Sequence, residues 1–166
     1  HYVDGNILDP EFSSFVGRHQ VPIVYGMTVG EYARMMNGEG WLGGRVKCDL
    51  TVVPVGNYAH SMPYSLPIKP SPNMPDDKAV NLYPSTCFFE GTALNEGRGT
   101  DKPFKIFGSP LLPDTGFSYV PMPTHGASEP RFKGQVCHGM DLSQYPERLS
   151  KVNLEWIIWA YDNYPD

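Results

Sequence analysis

The clearest hydrophobic rhythm in the chain is helical: Val29, Tyr32, Ala33 and Met36 recur at the spacing of one helix face. Thr28 stands at the N-cap with Glu31 three positions on, a Thr-x-x-Glu capping box, and Met27 before it is placed to staple against Tyr32. Asn37-Gly38 is expected to end this helix. After a loop to Gly44, the run from Cys48 to Val55 is β-branched and nearly continuous, which predicts a central strand covered on both faces. A helix followed by such a strand predicts the last unit of a parallel sheet, with a ligand crevice just beyond it.

The remaining elements are weaker. Asp4-Gly5-Asn6 reads as a turn, Asp9 as the cap of a short turn whose first position is Pro10, and Val21 to Gly26 as extended. Ala79 to Phe89 suits either a short helix or a strand. Phe104 to Phe107 alternates like a strand, and Phe132 to Leu142 reads as a strand interrupted by Gly134 and Gly139. Tyr145-Pro146-Glu147 opens a last helix with apolar positions at Leu149, Val152, Leu154, Trp156, Ile157 and Ala160. The expected fold class is α/β: the end of a parallel-sheet domain over residues 1–110, then a smaller irregular α+β region over 111–166, with the seam in the proline-rich stretch.

Composition narrows the function classes. Gly and Pro number 17 each but are interleaved with aromatics, which fits rigid, ordered loops and not a low-complexity linker. A net charge of −5 without a Lys/Arg cluster argues against a nucleic-acid partner. No apolar run approaches the ~20 residues that cross a bilayer, and Trp156 to Ala160 reads as a buried helix face. Cys48, Cys87 and Cys137 are widely spaced in apolar runs, so they are expected to be small buried hydrophobes, without a zinc motif or a nucleophile. His1, His19, His60, His125 and His138 show no HExxH or paired ligand spacing, so no metal site is expected. No GxSxG elbow supports a serine hydrolase. A start at His1 and a helical pattern running almost to Asp166 suggest an interior piece of a longer polypeptide.

One stretch concentrates chemistry. Glu90 to Thr100 holds two carboxylates, an Arg, an Asn and two Thr among three glycines, a composition suited to a pocket loop. Glycoside hydrolysis commonly uses two carboxyl groups ~5–10 Å apart, one as acid and the other as nucleophile or base. Glu90 and Glu96 fit that need if the loop folds back, with Arg98 pairing one of them. The same residues also suit a surface loop whose Glu96–Arg98 pair carries little energy, and local chemistry alone does not separate the two. Asn73, fixed between prolines in Ser71-Pro72-Asn73-Met74-Pro75, suits a reader of a sugar hydroxyl or acetamido group, or equally a turn cap. Trp41, Tyr58, Tyr64 and Tyr83 are candidates for stacking on sugar faces, although most aromatics in such a chain belong to the core.

Five blocks share a resemblance: Gly5 to Gly17, Tyr25 to Glu31, Pro70-Ser71-Pro72-Asn73-Met74-Pro75, Glu90-Gly91-Thr92 through Asn95-Glu96-Gly97-Arg98-Gly99-Thr100, and Phe132 to Cys137. Together, in this order and over nearly the whole chain, they resemble the NamZ-type exo-β-N-acetylmuramidases of bacterial peptidoglycan recycling. The resemblance implies a Rossmann-like part followed by a smaller auxiliary domain, with a cleft between them. It implies removal of terminal N-acetylmuramic acid from the non-reducing end of wall fragments, with neither metal nor organic cofactor. By the resemblance, Asn73, Glu90, Glu96, Arg98 and Thr100 would line that cleft. On the residue chemistry above, Glu90 and Glu96 are the candidate catalytic carboxylates, and Ser71, Asn73, Tyr83, Arg98 and Thr100 the candidates to meet the substrate. Arg98 suits the lactyl carboxylate of muramic acid, since a guanidinium forks onto a carboxylate. A cell-envelope, periplasmic or secreted location of the full-length protein is implied in the same way. Family members also carry an earlier Rossmann half with a Pro-Glu-His-Gly motif whose Glu is a leading candidate for catalysis; this sequence lacks that motif, so the polypeptide alone is expected to be inactive or nearly so. The rival expectation is a carbohydrate-binding or structural module, which needs stacking aromatics more than paired acids.

Overall fold

The computed structural model describes residues 2–146 and 148–165. They form a mixed helix and strand fold in two compact units, His1–Tyr64 and Ser65–Asp166. The expected seam at 110/111 lies inside the second unit. Both sheets are antiparallel, so the expected parallel sheet is absent among the described residues.

In the first unit, β1 (Asp4–Ile7) pairs with β2 (Pro22–Val24). The expected turn at Asp4-Gly5-Asn6 is therefore a strand. Its register shifts between Asp4 and Ile7, and Gly5 at φ 87° supplies the left-handed residue of that irregularity. Asp9 caps the short 3-10 turn Pro10–Phe12 by accepting from the Glu11 N–H. Helix α1 (Val29–Glu39) follows, and both halves of its capping box form: the Thr28 hydroxyl accepts from the Glu31 N–H, and Glu31 Oε2 accepts from the Thr28 N–H. The helix runs past Asn37-Gly38 and ends at Gly40, which takes the left-handed C-cap conformation.

The expected central strand at Cys48–Val55 does not form. Its backbone joins no ladder among the described residues, and Val53 and Val55 are 86% and 77% exposed. β-Branched residues fit a pleated, covered surface but do not create one, and without a paired neighbour this run stays outside any sheet. Its anchor is Asn37, whose side chain donates to the Cys48 carbonyl at 2.9 Å and accepts from the Cys48 N–H at 3.0 Å. Cys48 is consequently exposed, against expectation, whereas burial pushes the Cys87 and Cys137 thiols up to about 11.

The second unit holds the core. Asp76 caps α2 (Asp77–Thr86) by accepting from the Ala79 N–H, and a 3-10 turn, Cys87–Gly91, continues the helix. Strand β3 (Ile106–Ser109) pairs with β5 (Cys137–Asp141), which also pairs with the short β4 (Ser118–Tyr119). Leu82, Phe89, Leu94, Phe107, Leu112, Leu142, Trp156 and Ala160 form one buried cluster, with Phe89 stacked on Phe107 at 4.3 Å. Helix α3 (Glu155–Asn163) starts later than expected. Residues just before it hydrogen-bond to α2: Asn81 takes both the N–H and the C=O of Leu149, and Ser85 Oγ accepts from the Asn153 N–H. Backbone groups claimed by these side chains are not free to form a helical turn. Glu147, expected near the start of that helix, lies outside the described residues. No helix among the described residues is long and apolar enough to cross a membrane.

Candidate functional site

The loop that carries the chemistry is built around Asn95, which is fully buried. Its side-chain oxygen accepts from the Gly97 N–H at 2.8 Å and from the Tyr119 hydroxyl at 3.0 Å. Its amide donates to the carbonyls of Arg98 and Arg131. The turn is tightened by Gly97 and Gly99, both near φ 84° (84° and 83°), and by Thr100, whose hydroxyl donates to the Gly97 carbonyl. A Cβ on Gly97 would stand 2.6 Å from the Lys102 carbonyl, so only glycine fits there. Asn95→Ala leaves these buried partners unmade and is expected to cost about 2–3 kcal/mol. A urea midpoint within error of wild type would contradict that role.

This turn aims Arg98 at two carboxylates. Its Nη2 lies 2.6 Å from Glu90 Oε1 and its Nη1 lies 2.7 Å from Glu96 Oε1. Glu96 is buried, whereas Glu90 and Arg98 each keep a third of their side-chain surface in water. Burial opposes the Arg98 charge, but hydrogen bonds and charge attraction from Glu90 and Glu96 outweigh it and raise its pKa. The guanidinium also lies over the Phe104 ring, 4.9 Å from its centroid. Phe104 is 1% exposed and sits at φ 58°, an outlier for an aromatic residue, held by its N–H bond to the Glu96 carbonyl at 2.7 Å. Tyr83 packs edge-on against that ring, and burial followed by the nearby Glu90 charge raises its pKa.

Arg98→Met would leave Glu96 buried without its cation. The expected loss is about 2–3 kcal/mol, at or below the usual range for a broken buried pair because Arg98 is partly solvated. Adding Glu96→Gln should restore most of it in urea denaturation. Equal stability of wild type and Arg98→Met would show the pair to be energetically idle.

The sequence-predicted residues thus fall into two groups. Glu90, Glu96 and Arg98 form the ion-paired cluster, with Tyr83 beside Glu90. Ser71, Asn73 and Thr100 instead line a pocket of about 620 Å³, together with Lys69, Asp101, Pro103, Thr124, His125 and Gly126. Two tight hairpin tips meet at this pocket: Pro72-Asn73 between bridged Ser71 and Met74, and His125-Gly126 between bridged Thr124 and Ala127. Asn73 Nδ2 donates to the Gly126 carbonyl at 2.8 Å and joins them. The 96–101 loop serves both groups. Trp41, Tyr58 and Tyr64 belong to the first unit, where Trp41 stacks on His19. Phe104, Asp101, Lys69 and His125 were missed from sequence, since none stands in a recognisable motif. Among the described residues no group of three or more His, Cys, Asp or Glu is arranged to hold a metal ion.

Comparison with known proteins fixes the family. Residues 1–78 match the family model "Exo-beta-N-acetylmuramidase NamZ, N-terminal" and residues 81–166 match "Exo-beta-N-acetylmuramidase NamZ, C-terminal". The chain belongs to the NamZ family. The peptidoglycan β-N-acetylmuramidase NamZ of Bacillus subtilis (strain 168) is 35% identical, over 100% of this chain and 44% of its own length. A DUF1343 family protein from Bacteroides fragilis NCTC 9343 has a similar crystal structure, with a TM-score of 0.93 and 46% identity over 98% of this chain and 47% of that one. The chain therefore spans about half the length of these two relatives.

Proposed function

We propose that the protein acts as an exo-β-N-acetylmuramidase, removing terminal N-acetylmuramic acid from the non-reducing end of peptidoglycan fragments. The observation that carries this reading is the pair of carboxylates, Glu90 and Glu96, brought onto one guanidinium in a NamZ-family chain. Sharing Arg98 keeps the two carboxyl groups inside the ~10 Å upper limit for paired glycosidase acids. One carboxyl group protonates the glycosidic oxygen, while the other attacks the anomeric carbon or activates a water. Arg98 spends two N–H donors on the two glutamates and has others left for the lactyl carboxylate. Tyr83 orients Glu90, and Ser71, Asn73 and Thr100 shape the sugar pocket.

Full turnover, in this reading, also draws on parts of the relatives' length that the chain does not span. A wall-derived substrate is consistent with a cell-envelope, periplasmic or secreted location of the full-length protein, and fractionation separates that from a cytoplasmic one. The direct assay is release of N-acetylmuramic acid from a chromogenic muramide, comparing these 166 residues with a polypeptide of the relatives' full length. Activity confined to the longer polypeptide is the expected result. Folded protein inactive in both forms would overturn the reading in favour of a binding or structural role.

A further inference from the structure

The polar groups around the pocket differ in what they are already bonded to. Ser71 Oγ accepts from the Asn73 N–H, Asn73 Nδ2 donates to the Gly126 carbonyl, and Thr100 Oγ1 is bonded to the Gly97 carbonyl and the Lys102 N–H. These groups hold the walls together. Lys69, Asp101 and His125 also line the pocket, are exposed, and make no hydrogen bond or ion pair among the described residues. Asp101 stands out most, because its neighbour Lys102 pairs elsewhere, with Asp141 at 2.6 Å, and leaves the Asp101 carboxylate uncompensated. An acceptor-only group left free in a concave site is suited to receive hydroxyl hydrogen bonds from a ligand.

The substrate supplies matching donors. N-acetylmuramic acid carries its lactyl ether on O3 and its acetamido group on C2, and it is cleaved at C1, so the hydroxyls left are those on O4 and O6. The O4 hydroxyl exists only when no further sugar is attached there, which is what defines a non-reducing end. The geometry points to Asp101 as the residue that reads this end, accepting from the O4 and O6 hydroxyls of the terminal sugar. Charge-assisted hydrogen bonds of this kind are stronger than neutral ones. A sugar extended on O4 lacks that donor, so the carboxylate loses one of its two hydrogen bonds. Exo-selectivity then resides in one side chain on the loop that also presents Glu96 and Arg98. This inference rests on the muramidase reading above.

The test measures binding of N-acetylmuramic acid and its 4-O-methyl ether by calorimetry, with wild type, Asp101→Asn and Asp101→Ala. Wild type is expected to prefer the free sugar by about 10-fold or more, the worth of a hydrogen bond to a charged group. Asp101→Ala should lose that preference by weakening the free sugar and sparing the ether, with Asp101→Asn in between. Asp101 makes no contact that folding depends on, so unchanged melting should accompany both variants. If wild type binds and hydrolyses muramides but Asp101→Ala keeps the full preference, the assignment of Asp101 is overturned and the muramidase reading stands. If folded wild type, in the relatives' full length, neither binds nor hydrolyses them, both fall.

Discussion

In native-state hydrogen exchange, amides of β3, β5 and α2 are expected to be protected about 10³–10⁴-fold more than any amide between residues 2 and 64. The difference follows from where apolar surface is buried. Every fully buried hydrophobic residue lies at position 79 or beyond, and no described residue of the first unit reaches that state. Strands β1 and β2 form a two-stranded sheet, which is marginal by itself in water. Helix α1 has both ends well capped, but it has eleven residues and no buried position, and caps alone do not hold so short a helix. Global opening of a small domain costs about 5 kcal/mol or more, which corresponds to the stated factor for core amides. Slow exchange in α1 or β2 matching that in β5 would contradict this distribution of stability.

The same contrast explains what could be read from sequence. Helix α1 was legible because its signals are local: a capping box three residues apart and one apolar face. The Asp9 cap was legible for the same reason. Cys48–Val55 misled because a strand is a property of pairs of segments, and its neighbour cannot be read from its own residues. The start of α3 was misplaced because Asn81 and Ser85, nearly 70 positions away (68), take the backbone groups that a helix would have used. Helix α2 stayed ambiguous because its stretch mixes Pro84 with aromatic and β-branched residues, while its cap, Asp76, lies outside the apolar run.

For the site, proximity in sequence carried much of the information. Glu90, Glu96 and Arg98 lie within one short segment, so their meeting was foreseeable once the loop folded back. The separation of Ser71, Asn73 and Thr100 into a pocket apart from that cluster was not. It depends on Asn73 reaching Gly126, a contact across 53 positions. The free groups of the pocket were invisible for a related reason: an unpaired Asp101 looks like any surface aspartate until its surroundings are known. Phe104 became informative only through its left-handed backbone beneath Arg98.

Glu90→Gln and Glu96→Gln are expected to lower turnover of a muramide by about 10²–10⁴-fold each, the usual worth of an acid–base or nucleophilic carboxyl group. Glutamine keeps the size and one acceptor oxygen of glutamate, so the contact with Arg98 weakens without leaving a cavity. Substrate affinity should therefore change much less than turnover, within about threefold for each variant. The double variant should cost far less than the product of the two single losses, because both groups serve one reaction.

The most direct measurement is single-turnover hydrolysis of a chromogenic N-acetylmuramide by the polypeptide of the relatives' full length, with binding of the same substrate measured in parallel. Normal binding with turnover collapsed in both Glu90→Gln and Glu96→Gln is the result expected from a carboxylate pair that performs the chemistry. Wild-type turnover in both variants, in protein shown to be folded, would contradict it and leave the Glu90–Arg98–Glu96 cluster a structural clasp.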